Sequence, residues 1–106
     1  MDPLEALKAL DSGGALLDVR EDEEWEAGHA PEAIHVPMTE LESRVDEVPR
    51  DRSVVVVCRS GARSSQVVSA LEGAGFSLYN LDGGMKAWAK SGLPVVRESG
   101  GRGRIS

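Results

Sequence analysis

Residues 53–64 read Ser53-Val54-Val55-Val56-Val57-Cys58-Arg59-Ser60-Gly61-Ala62-Arg63-Ser64. Four consecutive valines without polar alternation predict a strand covered on both faces, the habit of a strand inside a parallel sheet. The run ends at a cysteine, passes through residues small enough to turn tightly, and resumes at helical spacing with Val67, Val68 and Leu71 between Ser64 and Ala74. A strand that feeds a helix through a short loop is the repeating half of a parallel α/β architecture.

Outward from this centre the alternation continues. Upstream, Asp2 as a cap and Pro3 at the first helical position predict a short helix through about Leu10. Ala15-Leu16-Leu17-Asp18-Val19 predicts a strand, and the acidic run Glu21 to Glu26 a helix that lays Trp25 on the sheet and stops at Gly28. Ala33-Ile34-His35-Val36 reads as a short strand between Pro31 and Pro37, and the Thr39–Glu42 spacing as a capping box for a helix around Leu41 to Val45. Downstream, Leu78 to Leu81 predicts a strand, and Asp82-Gly83-Gly84 a turn into a helix that carries Trp88 and stops at Gly92 and Pro94. Pro94-Val95-Val96 adds an edge segment. The expected architecture is three-layer α/β/α with a mainly parallel central sheet of about five strands over residues 1–97, followed by a flexible Gly/Arg-rich tail over 98–106.

A chain of 106 residues, 41% apolar, suits one hydrophobic core. Its formal charge of -6 speaks against nucleic acid or an anionic membrane surface as a partner. No run approaches the roughly 20 apolar residues of a membrane span, and Met1-Asp2-Pro3 does not open a secretory signal, so a cytoplasmic location is expected. One cysteine makes no internal disulfide, and two isolated histidines complete no recognisable zinc pattern. The cysteine is therefore either an inert core thiol or a reactive one.

The surrounding residues favour reactivity. No carboxylate occurs between Asp51 and Glu72, while Arg52, Arg59 and Arg63 fall inside that stretch. If the loop from Cys58 to Ser64 curls inward, its amides and the first unpaired N–H groups of the following helix form an anion-binding nest around Cys58. Such a nest lowers a thiol pKa and shelters the anion Cys–S–S⁻ equally well. Each hydrogen bond to a charged acceptor contributes about 1.5–3 kcal/mol, against at most about 1 kcal/mol from an exposed helix dipole, so the loop amides are expected to dominate. Arg59 and Arg63 would attract an anionic sulfur donor. An ionised thiol needs no general base, so His29 and His35 are read as structural, and Trp25 and Trp88 as packing residues.

Four segments taken together resemble the rhodanese-like domain family. They are Leu17-Asp18-Val19-Arg20; Trp25-Glu26-Ala27-Gly28-His29 followed by Ala33-Ile34-His35-Val36-Pro37; Cys58-Arg59-Ser60-Gly61-Ala62-Arg63-Ser64; and Asp82-Gly83-Gly84 with Trp88, Gly92 and Pro94. The resemblance spans about Leu4 to Val96. It implies a rhodanese fold and thiosulfate sulfurtransferase chemistry, with Cys58 as the sulfur-accepting nucleophile and no metal or organic cofactor. Arg59, Ser60, Gly61, Ala62 and Arg63 would complete the loop that binds substrate and cradles the persulfide, with Asp18, Arg20 and Ser64 as candidates for orienting it. For Asp18 and Arg20 a plain structural ion pair is an equal reading.

Two departures from the family pattern stand in the loop after His29, where Ala30 and Glu32 replace the larger aliphatic residue and glycine that family members often carry. The implied partners are a small anionic sulfur donor, or a protein that gives or accepts sulfur. A persulfide relay module is thus the main alternative to a small-molecule enzyme. Phosphatases of related fold place one more residue between cysteine and arginine, so phosphatase or arsenate-reductase chemistry ranks below sulfur transfer. A non-catalytic binding domain ranks lower still because the nucleophile is present.

Overall fold

The computed structural model describes residues 1–106. Strands β1 (Ala15–Asp18), β2 (Ile34–His35), β3 (Ser53–Val57) and β4 (Ser77–Asn80) form one sheet in the order β2-β1-β3-β4, parallel throughout. The valine run takes the inner strand with the bounds its sequence predicts. Side chains alternate across a strand, so the run serves two cores. Val54 and Val56 pack with Leu17, Val19, Val36, Leu41, Val48, Val67 and Cys58 on one face. Val55 and Val57 pack with Ala6, Leu16, Ala30, Leu81, Met85 and Trp88 on the other. All four valines are fully buried, and each contributes about 1.5–3 kcal/mol of burial free energy.

Helices complete the outer layers. Ala6 of α1 (Pro3–Asp11) and Met85 and Trp88 of α5 (Gly84–Lys90) cover the second core. Leu41 of α3 (Leu41–Arg44) and Val67 of α4 (Ala62–Ala70) cover the first. At the start of α1, Asp2 and Glu5 each accept the other's backbone N–H at 2.9 Å, a closed capping box. Helix α2 (Asp22–Ala27) follows β1 in the chain. No helix is long and apolar enough to cross a membrane.

Several expectations need correction. The sheet has four strands rather than about five: the segment at Pro94–Val96 forms only isolated antiparallel bridges, Val96 with His29 and with Arg102. Proline at its start supplies no ladder donor. The Thr39–Glu42 capping box is not made. Pro37 leads into a 3-10 turn over Met38–Glu40, and the Thr39 hydroxyl donates instead to the Glu21 carboxylate at 3.3 Å. Trp25 stacks on imidazoles, with ring centroids 3.6 Å from His29 and 4.5 Å from His35.

Residues 98–106, read from sequence as a flexible tail, are seated against the body. Gly103 N donates to Val95 O and Arg104 N to Ala27 O, both at 2.9 Å, and Ile105 packs on the second core. Gly28 and Gly103 make this seat possible. A Cβ at Gly28 would stand 2.5 Å from Arg104 N, and one at Gly103 would stand 2.6 Å from Gly28 Cα. Glu32 holds φ +62°, a left-handed conformation for which glycine is the unstrained residue.

Candidate active site

β3 delivers Cys58 to the carboxyl edge of the sheet, where ligands of parallel α/β proteins bind. Val19, the residue after β1, holds it there through its N–H to Val57 O at 3.0 Å. The loop that follows is shaped from outside. Met85 N takes the Cys58 carbonyl at 2.8 Å and Lys86 N the Arg59 carbonyl at 3.0 Å, so the N-terminal amides of α5 pull both carbonyls away from the loop's centre. Only glycine allows this approach. A Cβ on Gly84 would fall 2.5 Å from the Cys58 oxygen and 2.6 Å from the Arg59 carbonyl carbon. The Gly83–Gly84 pair thus provides a turn and a close contact, both at positive φ.

With its carbonyls drawn outward, the loop presents donors inward. Gly61, at φ +111°, heads α4 and donates its N–H to Cys58 Sγ at 3.1 Å; the Ser64 hydroxyl lies 3.3 Å from the same sulfur. Burial pushes the Cys58 thiol up, but the Ser64 hydroxyl and the amides of Ser64, Gly61 and Ser60 together outweigh it, so the pKa lies below its ordinary value. Cys58 is 1% exposed and its flank belongs to an apolar core, while its sulfur faces polar donors. Of the loop residues, Ser60 and Ala62 are exposed.

The two loop arginines part company. Arg63 grips Glu24 of α2 with both terminal nitrogens, Nη1 to Oε1 at 2.7 Å and Nη2 to Oε2 at 2.8 Å, and so fastens the start of α4 to α2. The ion pair holds Glu24 below the usual carboxylate range and Arg63 above its own. Arg59 Nε donates to the main-chain oxygen of Ser106 at 2.7 Å, and no Asp or Glu side chain pairs with it. Asp18 and Arg20 give no hydrogen bond to the loop. They form a sealed bidentate pair, Nη2 to Oδ2 at 2.8 Å and Nε to Oδ1 at 3.0 Å, and Arg20 Nη2 also donates to Gly28 O at 2.7 Å. The ion-pair reading of these two is the one the geometry carries. His29 and His35 lie on Trp25 and away from the sulfur's hydrogen bonds.

Two contributors escaped the sequence reading as individuals. Glu24 was one of five acids in a run, and only the fold singles it out. Asn80 ends β4, and its Oδ1 accepts from Ser64 Oγ at 2.5 Å. Its legible signal was a polar residue closing a strand beside the nucleophile's strand. The Ser64 hydroxyl has one proton for Sγ, the Gly61 carbonyl and Asn80 Oδ1, so Asn80 bears on how much of that proton the sulfur receives. No three His, Cys, Asp or Glu side chains gather as a metal site.

The family profile "Rhodanese-like domain" matches residues 2–91. A sulfurtransferase of Allochromatium vinosum is 44% identical over 86 residues, 80% of this chain and 80% of the relative. Among solved structures, a rhodanese-related protein from Thermoplasma volcanium superposes with TM-score 0.86 at 30% identity, covering 92% of this chain and 97% of that one. A rhodanese-like domain protein from Staphylococcus aureus gives TM-score 0.76 at 32% identity, covering 83% and 88%. A cysteine held in a strand-to-helix loop by amides, and a matching profile over nearly its whole length, together make this chain a member of the rhodanese-like domain family, with relatives that include proteins named as sulfurtransferases.

Proposed function

We propose that this chain moves sulfane sulfur through a persulfide on Cys58, taking it from an anionic donor such as thiosulfate and passing it to a nucleophilic acceptor. The Cys58 thiolate attacks the outer sulfur of thiosulfate; a new S–S bond forms, the donor's S–S bond breaks, and sulfite leaves with the bonding pair. An acceptor nucleophile then attacks the outer sulfur of Cys58–S–S⁻, and the Cys58 thiolate departs. With cyanide as acceptor the product is thiocyanate. No net oxidation is needed, and no base if the thiol is already ionised.

The observation that carries this reading is the pair of donors on Sγ, Gly61 N–H at 3.1 Å and Ser64 O–H at 3.3 Å, in a stretch free of carboxylates. The short loop supports a sulfur occupant over a phosphate. Arg59, whose guanidinium pairs with no Asp or Glu side chain, is the donor-binding residue, while Arg63 shapes the loop. A lone thiol suits a reducing compartment such as the cytoplasm. A second reading, a persulfide relay between proteins, is favoured by the exposure of Ser60 and Ala62 at the loop's mouth, which leaves room for a protein acceptor.

Mass spectrometry after exposure to thiosulfate tests the core of the proposal: one added sulfur on Cys58 is expected, and none on the Cys58→Ala chain. Sulfuration at another residue, or none at all, overturns it. Rapid thiocyanate formation then marks the small-molecule enzyme, whereas slow turnover beside ready loading by a protein persulfide marks the relay.

A further inference from the structure

The segment after Pro94 gathers three arginines. Val96 bridges both His29 and Arg102, and Arg97 N donates to Gly101 O at 3.0 Å, so residues 96–102 close as a tight hairpin. The bonds from Gly103 to Val95 and from Arg104 to Ala27 then press the following residues against the end of α2. Between them lies a surface cavity of about 430 Å³ lined by Ala27, Arg97, Arg102, Gly103 and Arg104. Such a volume falls within the usual range of small-ligand sites.

The three guanidiniums have no partner in the protein: none takes part in an ion pair. In a chain of net charge -6 carboxylates are plentiful, yet none lines this cavity. Glu98, the one acid among residues 97–104, turns its carboxylate to Trp25 Nε1 at 3.1 Å and to His29 Nε2 at 3.4 Å. Cations gathered around a hollow repel one another until an anion enters, and guanidinium forks match oxyanions in geometry as well as charge. The hollow is also tied to the reaction centre. Two residues beyond Arg104, the main-chain oxygen of Ser106 accepts from Arg59, the neighbour of Cys58.

Resting on the sulfur-transfer reading above, we propose that Arg97, Arg102 and Arg104 form an oxyanion-binding site that captures the anionic sulfur donor beside the active loop. The remainder of the acidic surface repels such a donor, so this patch raises its local concentration at the one face where it reacts.

The test uses the full chain with Arg102→Ala/Arg104→Ala and with Arg102→Lys/Arg104→Lys. In the unreactive Cys58→Ala background, thiosulfate and, separately, inorganic sulfate are titrated while the backbone amides of Ala27 and Gly103 are followed by NMR. Saturable shifts with both anions are expected, weakened about tenfold by the alanine pair and within about threefold by the lysine pair. In the reactive chain the alanine pair is expected to raise the thiosulfate KM about five- to tenfold and to flatten its dependence on ionic strength. Linear, unsaturable shifts, or a KM the alanine pair leaves unmoved, overturn the site. If Cys58 takes up no sulfur from thiosulfate, the sulfur-transfer reading fails on its own, and the sulfate titration still decides whether the arginines bind an oxyanion.

Discussion

Arg20 and Arg63 each grip a carboxylate with two nitrogens, yet their settings differ. Both side chains of the Asp18–Arg20 pair are 0% exposed, whereas Arg63 is 34% and Glu24 19% exposed. The sealed pair stands under the sheet's carboxyl edge and also holds Gly28 O, the residue against which the C-terminal segment packs. The open pair spans two helices and touches the active loop directly, since Arg63 occupies the first turn of α4. Burial makes a pair costly to break; position decides whether breaking it reaches the chemistry. The sealed pair is thus expected to govern stability and the open pair reactivity.

Breaking the sealed pair should have the largest effect. Arg20→Ala leaves the Asp18 carboxylate buried without its partner and is expected to cost about 3–5 kcal/mol in urea unfolding. The double variant Asp18→Asn/Arg20→Met removes both charges and should lose less than the single one. A loss below about 1 kcal/mol for Arg20→Ala would show that water reaches Asp18 and would erase the contrast with Glu24.

Arg63→Ala sharpens the comparison from the other side. A third of that side chain meets solvent, so screening limits its stability effect to about 1 kcal/mol. Its effect on Cys58 should be larger in kind. With the start of α4 released, the Gly61 and Ser64 donors sit less firmly on Sγ, the thiol pKa rises toward its ordinary value, and alkylation by iodoacetamide at neutral pH slows about three- to tenfold. Arg63→Lys keeps the charge but loses the fork, and should fall between the two. Alkylation at the unaltered rate would mean that the loop is held by the α5 amides alone.

The same contrast explains what the sequence disclosed. Local patterns announced themselves: the valine run gave β3 with its bounds, the small residues after Cys58 gave the curled loop, and Gly83-Gly84 gave the turn that meets it. Contacts between distant segments did not. Nothing in the spacing of Thr39 and Glu42 revealed that Glu21 competes for the Thr39 hydroxyl, nor did the acidic run show which of its members reaches Arg63. The seating of Gly103 on Gly28 joins residues far apart in the chain, and composition alone suggested disorder there. Asp18 and Arg20 lay in a legible motif, but only burial distinguished a sealed pair from loop-orienting groups.

The smallest expected effect is the pH dependence of the open pair. Arg63 lowers the folded-state pKa of Glu24, first through its hydrogen bonds and despite a burial cost in the opposite direction. A carboxyl whose folded pKa is depressed binds fewer protons folded than unfolded at acid pH. Its contribution is therefore complete above the unfolded value and is lost as pH falls through the depressed folded one. Unfolding free energy measured from neutral pH downward should fall more steeply for the parent chain than for Glu24→Gln across that acid window, and the two curves should approach each other at its lower end. Above the ordinary carboxylate range they should run parallel. If the slopes agree throughout, the Arg63–Glu24 contact does not form in the folded chain in solution, and Arg63 would then be free to face the sulfur.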